Sequence, residues 1–293
     1  MKILIVGASG LLGNYLVKFG KEKNYEIYGT YNQHEIKETN FFKLDVRDRK
    51  KAIEIITKIK PDVVIDTHSI TNVDYCELHP DECWEVNVNG TKNVVEACKI
   101  LGCKLVFIST DYVFDGKKTI YTEKDKPHPI NFYGRTKYIC EKIIEVFDVE
   151  NLIIRTSVLY GVGGSGKEPF PIWVIRNLKE NNKIEVVVDQ FNNPTYCGDL
   201  AKIIFTLIEK RKRGLFHVVG KDNVSRYEFA IKIAEIFGMN KKLILPITSS
   251  QLLQHAPRPK KLNLSIHKLK RVLNVETMGI EEGLKELKKE LLK

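Results

Sequence analysis

The chain has 293 residues, 43% of them hydrophobic, which suffices for a core of one large or two modest domains. Its formal net charge of +10 raises the question of nucleic acid. The lysines alternate with glutamates, however, as in Glu281-Glu282-Gly-Leu-Lys285-Glu-Leu-Lys288-Lys-Glu290, the pattern of a solvated helix face, so neither nucleic acid nor a membrane is expected as a partner. No apolar run approaches the roughly 18 residues that a membrane span requires.

Lys2–Val6 reads as a short buried strand, followed at once by Gly7-Ala-Ser9-Gly10-Leu11-Leu12-Gly13 and a helical pattern to about Lys21. Glycines between a strand and a helix permit a tight turn and close backbone approach, so a phosphate can rest on the helix N-terminus. Met1-Lys2 leads straight into this strand, and no signal peptide is expected. The six cysteines (76, 83, 98, 103, 140 and 197) are scattered along the chain and are expected to be reduced core thiols of a cytoplasmic protein.

Strands are expected near 25–30, 62–66, 104–109 and 152–156, and helices near 48–59, 81–101 and 134–147. Such alternation predicts a doubly wound parallel sheet of Rossmann type. After Tyr160 the texture changes to a glycine-rich loop, two prolines and shorter elements, with a capping box at Ser225-Arg-Tyr-Glu228 opening a helix over 226–237 that Gly238 closes. The expected organisation is a dinucleotide-binding domain over 1–160, with a segment near 185–212 returning to it, and a smaller α/β substrate lobe over 161–293.

In this architecture the end of the second strand meets the adenosine ribose, where an acidic residue favours a free 2′-hydroxyl. Here that end reads Thr30-Tyr31-Asn32 without a carboxylate at the tip, which favours NADP(H); NAD(H) remains the alternative if the strand ends earlier and so brings Glu26 toward the ribose. Asp45 and Val46 are read as an adenine clamp, with a turn or helix-entry role as the competing interpretation of Asp45.

Two stretches carry chemistry. Lys104–Ser109 leads out of a buried strand into Thr110-Asp111-Tyr112-Val-Phe-Asp115-Gly116, and hydroxyls at the carboxyl end of a parallel strand lie on the ligand side of the sheet. Tyr133-Gly-Arg-Thr-Lys137 places a phenol and an ammonium four residues apart, on one face of a helix. Thr110 can then donate to a carbonyl oxygen while Tyr133 protonates it, with Lys137 holding the nicotinamide ribose and lowering the phenol's pKa.

These motifs, in this order, resemble the extended short-chain dehydrogenase/reductases, and within them the dTDP-4-dehydrorhamnose reductase branch. The resemblance covers almost the whole chain, including Thr71-Asn-Val-Asp74, Arg155-Thr-Ser157, Asp189-Gln-Phe191 with Pro194-Thr195, and Arg258-Pro-Lys260 with Asn263-Leu264. It implies Thr110 and Tyr133 on a ketone, Lys137 on ribose, Asp45 and Val46 on adenine, and Thr67 and His68 beside the ribose and pyrophosphate. It further implies a nucleotide-sugar substrate near Thr71, Asp111, Val158 and Arg258, and allows a homodimer. Val158 stands where the branch's rhamnose enzymes carry an aromatic, and His68 where a small residue is usual. The same branch includes the regulatory β subunit of methionine adenosyltransferase, which binds NADP. That similarity leaves a methionine adenosyltransferase as an alternative partner.

Two other patterns are set aside. Gly161-Val-Gly-Gly-Ser-Gly166-Lys167 approaches a P-loop, but Glu168 replaces the magnesium-binding hydroxyl and Pro169 and Pro171 interrupt the helix; a loop at the substrate entrance is expected instead. Cys76, His79 and Cys83 lack a fourth ligand, and no metal is expected. Asp189 reads as a loop cap, and Arg258, Lys260 and Lys261 as either a pyrophosphate clamp or a solvated basic turn.

Overall fold

The computed structural model describes residues 1–166 and 168–292. Its centre is a seven-stranded sheet, entirely parallel. In chain order the elements of the first half are β1 (Lys2–Val6), α1 (Leu11–Glu22), β2 (Glu26–Tyr31), β3 (Phe41–Lys43), α2 (Arg49–Ile59), β4 (Val63–Asp66), α3 (Val73–Leu78), α4 (Pro80–Trp84), α5 (Gly90–Leu101), β5 (Lys104–Thr110), α6 (Phe132–Phe147) and β6 (Asn151–Thr156). There follow β7 (Leu159–Tyr160), α7 (Phe170–Lys179), β8 (Ile184–Val187), β9 (Phe191–Asn192), β10 (Thr195–Tyr196), α8 (Cys197–Glu209), β11 (Gly214–His217), β12 (Val224–Ser225), α9 (Arg226–Phe237), β13 (Ile244–Ile247), α10 (His267–Leu273) and α11 (Ile280–Leu291).

The spatial order β11-β6-β5-β4-β1-β2-β3 reverses direction between β1 and β4. Ligands of such sheets bind at this switch point, outside the carboxyl ends of the strands. The strands are continuous apolar runs because helices cover both faces. One core cluster gathers Ile3, Ile5, Leu16, Ile65, Phe205 and Phe229; the other gathers Leu4, Val6, Ile56, Val95, Phe107 and Ile144. Small parallel pairs β7–β10 and β8–β13 and the antiparallel pair β9–β12 build the smaller part of the molecule. Of the stretch 185–212, β8 pairs away from the central sheet, α8 packs on α1, and the seventh strand, β11, follows at 214–217.

The helix expected over 81–101 differs from what forms. Pro80–Trp84 and Gly90–Leu101 are α-helical, but Glu85–Asn89 between them is a π turn. A π turn widens the coil and re-aims side chains, and such turns concentrate at functional sites. Here it directs Asn87 inward to the segment after β4. Among the described residues no helix is long and apolar enough to cross a membrane.

Candidate active site

The glycine turn is shaped by contact. Gly7 has φ +83°, and a Cβ there would lie 3.0 Å from the His68 amide nitrogen and from Thr67 Oγ1. Gly13 has no room either, since its Cβ would fall 2.4 Å from the Gly7 carbonyl oxygen. These two positions let α1 start directly against β1 and the loop after β4. At Gly10 the nearest atom to a built Cβ is the Gly7 oxygen, 3.3 Å away, so the turn stays open beside the helix N-terminus. With Ser9, Leu11 and Leu12 at the same turn, this cradle fits a dinucleotide diphosphate, which needs backbone N–H groups and no side chain in the way.

Gly161–Gly166 closes over this turn. Ser165 donates to the Ser9 carbonyl through its amide (2.7 Å) and its hydroxyl (2.8 Å), and Val162 N donates to Tyr15 Oη (2.8 Å). Lys167, the last residue of the P-loop-like pattern, lies outside the described residues.

The residues expected around the dinucleotide lie at or just beyond the carboxyl ends of β2, β3 and β4 and serve in different capacities. Thr30 is buried, and its hydroxyl accepts from Gly7 N at 3.3 Å, so it braces the glycine turn; Tyr31 is half-buried and Asn32 exposed at the strand end. Asp45 accepts two prongs from Arg47, Nη2–Oδ2 being 2.6 Å, and the Arg47 guanidinium holds its carboxyl below the usual range. Val46 is buried, and its carbonyl accepts from Asn93 (2.8 Å). Thr67 donates to the carbonyls of Val6 (2.8 Å) and Gly7 (3.1 Å). His68 pairs with Asp66 through Nδ1 and reaches the Val86 carbonyl through Nε2 at 3.1 Å.

The chemical residues converge at the end of β5 and the start of α6. Asn131 caps α6, accepting from Gly134 N at 2.8 Å. A Cβ at Gly134 would lie 2.2 Å from the Tyr112 carbonyl oxygen, so glycine is what lets α6 approach the turn after β5. Tyr133 then stands beside Thr110, and its ring meets that of Tyr112 edge-on at 6.3 Å. Burial pushes the Tyr133 phenol well above its ordinary value, and the Thr110 hydroxyl opposes that shift. Lys137 is buried one helical turn on, its ammonium 4.1 Å from the centre of the Phe107 ring, and burial lowers its pKa. The expected depression of the phenol by Lys137 is therefore not the dominant effect in the free protein: desolvation is.

Thr110 Oγ1 accepts from Tyr112 N (3.2 Å) and donates to Asp111 (3.1 Å). The Asp111 carboxylate is buried and also accepts from Ser157 (2.5 Å) and Asn192 (3.0 Å). Asp111 thus organises the Thr110 turn from behind. Val158, next to Ser157, adopts φ +42°. Thr71 is exposed at the entrance to α3. Arg258 is taken up by Asp74 (3.0 and 2.7 Å) and by the Ala256 carbonyl (2.7 Å).

Asn87 was not singled out by sequence reasoning. Its side chain accepts from Ile70 N (2.7 Å) and donates toward Ile70 O (3.1 Å), Cys83 Sγ (3.3 Å) and Thr136 Oγ1 (3.3 Å). It ties the loop after β4 to the Tyr133 helix. The available signal was polarity: an asparagine inside an apolar helical pattern needs partners. Cys76 and Cys83 meet side chain to side chain, Cys76 also donates to Ile70 O at 3.5 Å, and His79 packs against the Tyr75 ring instead, so among the described residues the three do not gather as a ligand set. Asp189 caps Ser249 (2.8 and 2.7 Å) and pairs with Lys260 (3.1 Å).

Comparison with known proteins places this geometry. The RmlD substrate binding domain family matches residues 1–293. The dTDP-4-dehydrorhamnose reductase of Aggregatibacter actinomycetemcomitans is 31% identical over 299 residues, covering 98% of each chain. Methionine adenosyltransferase 2 subunit beta of Rattus norvegicus is 31% identical over 286 residues, covering 95% of this chain and 83% of that protein. The crystal structure of dTDP-4-dehydrorhamnose reductase from Bacillus anthracis in complex with NADP superposes with a TM-score of 0.90 at 33% identity, covering 99% of this chain and 100% of that one. This chain therefore belongs to the RmlD substrate binding domain family.

Proposed function

We propose that the protein is an NADPH-dependent reductase of a 4-keto-6-deoxy nucleotide sugar, with dTDP-4-dehydrorhamnose as the substrate. The observation that carries this is the apposition of Tyr133 and Thr110 at the carboxyl edge of the sheet, with Lys137 one helical turn behind. Full-length similarity to the reductases named above supports it. NADPH, cradled at Gly7, Gly10 and Gly13, supplies the hydride.

The chain's own residues manage the ketone oxygen. As the carbonyl π electrons move onto oxygen, the Tyr133 phenol delivers its proton there. The phenol is protonated at neutral pH already at its ordinary value of roughly 10; burial raises it further, so the proton leaves only as negative charge develops on the ketone oxygen. Thr110 orients the oxygen by exchanging its bond to Asp111 for one to the substrate. Lys137, made more acidic by burial, then returns a proton to the phenolate.

Purified protein given NADPH and the ketosugar should oxidise the cofactor with formation of the 4-hydroxy sugar. Tyr133→Phe should lower turnover by roughly 10²–10⁴-fold while leaving NADPH binding intact. Unchanged turnover in that variant would overturn the role of Tyr133. The similarity to the methionine adenosyltransferase β subunit motivates a second reading, an NADP-binding regulatory subunit. Recovery of a methionine adenosyltransferase with the native protein, together with no ketosugar turnover, would favour it.

A further inference from the structure

We infer that Arg226 is the anion-binding residue of the substrate side, positioned to receive the diphosphate of a nucleoside diphosphate sugar; this rests on the reductase reading above.

Arg226 is the first residue of α9, and its backbone is fixed on both sides. Its amide donates to the Gln190 carbonyl at 3.1 Å. The preceding residue, Ser225, pairs with Phe191, whose neighbour Asn192 donates to Asp111. This links Arg226 through a short, rigid path to the turn that carries Thr110.

The guanidinium lies 5.3 Å from the centre of the Phe170 ring and faces Tyr112, Asp111 and Arg258. Among the described residues no carboxylate forms an ion pair with it, and it makes no hydrogen bond. The acidic groups close by are engaged elsewhere. Glu228 closes the capping box on Ser225 N (2.7 Å), and the Asp111 oxygens are taken by Thr110, Ser157 and Asn192. The other arginine of the cleft, Arg258, is neutralised by Asp74 at 3.0 and 2.7 Å. Arg226 thus keeps its hydrogen-bond donors free, among the described residues, where Arg258, the other arginine facing Tyr112, does not.

A half-buried guanidinium without an acceptor is unfavourable for the folded chain. An incoming anion would remove that penalty and gain a two-pronged, charge-assisted contact. A diphosphate supplies such an anion at one end of a substrate whose sugar ketone is at Tyr133. The aromatic face of Phe170 restricts the guanidinium plane, which reduces the entropy lost on binding.

The test is calorimetric titration of the full chain, loaded with NADP, with thymidine diphosphate and separately with inorganic diphosphate. Arg226→Ala should weaken thymidine diphosphate by roughly 10- to 100-fold, leave NADP affinity unchanged, and raise KM for the ketosugar with kcat within about threefold. Arg226→Lys, which keeps the charge but loses the fork, should restore part of the affinity. Circular dichroism and the unchanged NADP affinity report that each variant folds.

If thymidine diphosphate binds wild type and Arg226→Ala equally, the assignment of Arg226 is overturned and the nucleotide-sugar reading stands. If only inorganic diphosphate binds, and binding is lost in Arg226→Ala, the anion site stands and the nucleotide-sugar reading falls. If neither ligand binds the wild type, both fall.

Discussion

Arg155 and Glu141 form a buried, two-pronged ion pair, Nε–Oε1 2.9 Å and Nη2–Oε2 2.6 Å, with both side chains 3% exposed. Ser109 donates to the same carboxylate at 2.5 Å. The pair therefore joins β6, α6 and the end of β5, the elements that hold Thr110, Tyr133 and Lys137 in register. Arg155 also lies 5.1 Å from the centre of the Phe114 ring.

Removing one partner leaves a buried charge without compensation. Glu141→Ala should destabilise the protein by about 3–5 kcal/mol, measured by urea unfolding. The double variant Glu141→Met with Arg155→Met removes both charges and should lose less than Glu141→Ala alone. A double variant as unstable as the single one would mean that the network is worth more than its desolvation cost.

Gly164 seats the Gly161–Gly166 segment on the glycine turn. Its φ is +77°, and a Cβ would lie 2.5 Å from Leu11 Cα and 2.6 Å from Leu11 N. Gly164→Ala should lift the segment from α1 and weaken NADPH binding by roughly tenfold, about 1.4 kcal/mol. Ser165→Ala removes only one of the two bonds to Ser9 and should cost less. Titration calorimetry ranks the two; equal affinities for Gly164→Ala and wild type would show that the segment plays no part in holding the dinucleotide.

Much of this site was legible in the sequence because it is local. The glycine turn sits between an apolar strand and a helix, and Tyr133 and Lys137 stand four residues apart on one helix, a common spacing that gains weight from the glycine turn and Thr110 upstream. Thr30 shows the limit. Strand alternation turns its side chain inward to Gly7, a choice between two faces that composition at a strand tip does not reveal. The π turn at Glu85–Asn89 is equally hidden, since apolar periodicity runs through it, and β3 is too short to stand out. In the sequence Arg226 stands out only as part of a capping box. Its solitude depends on Glu228 being occupied and on Arg258 meeting Asp74 across the molecule.

His217 should make stability pH-dependent in the mildly acidic range. It is fully buried at the end of β11 beside Phe114, and burial, reinforced by the nearby Arg155 charge, pushes its pKa down to about 3. The unfolded imidazole titrates near roughly 6.5, so the unfolded chain binds a proton first. Stability is thus fully present above about pH 6.5 and is lost as pH falls toward about 3. Between pH 7.5 and pH 4.5 the loss should be roughly 2–3 kcal/mol, and His217→Phe should abolish that part of the slope. Urea midpoints at the two pH values measure it, and an equal drop in the variant would assign the slope to other groups.

Val158 carries a conformational cost that a substitution can release. A β-branched residue at φ +42° is a true outlier, and such strain is worth about 1–3 kcal/mol. The flanking residues impose it: Ser157 is fixed on Asp111, and Leu159 enters β7 opposite Thr195, whose amide donates to the Val158 carbonyl at 3.0 Å. Asparagine tolerates the left-handed region, so Val158→Asn should raise stability by about 1 kcal/mol even though it trims a half-buried apolar side chain. Val158→Ala keeps the strain and loses apolar contact, and should be destabilising by about 1 kcal/mol. Thermal and urea unfolding of the pair decide the matter. If Val158→Asn proves less stable than Val158→Ala, the backbone at this position is not the source of strain.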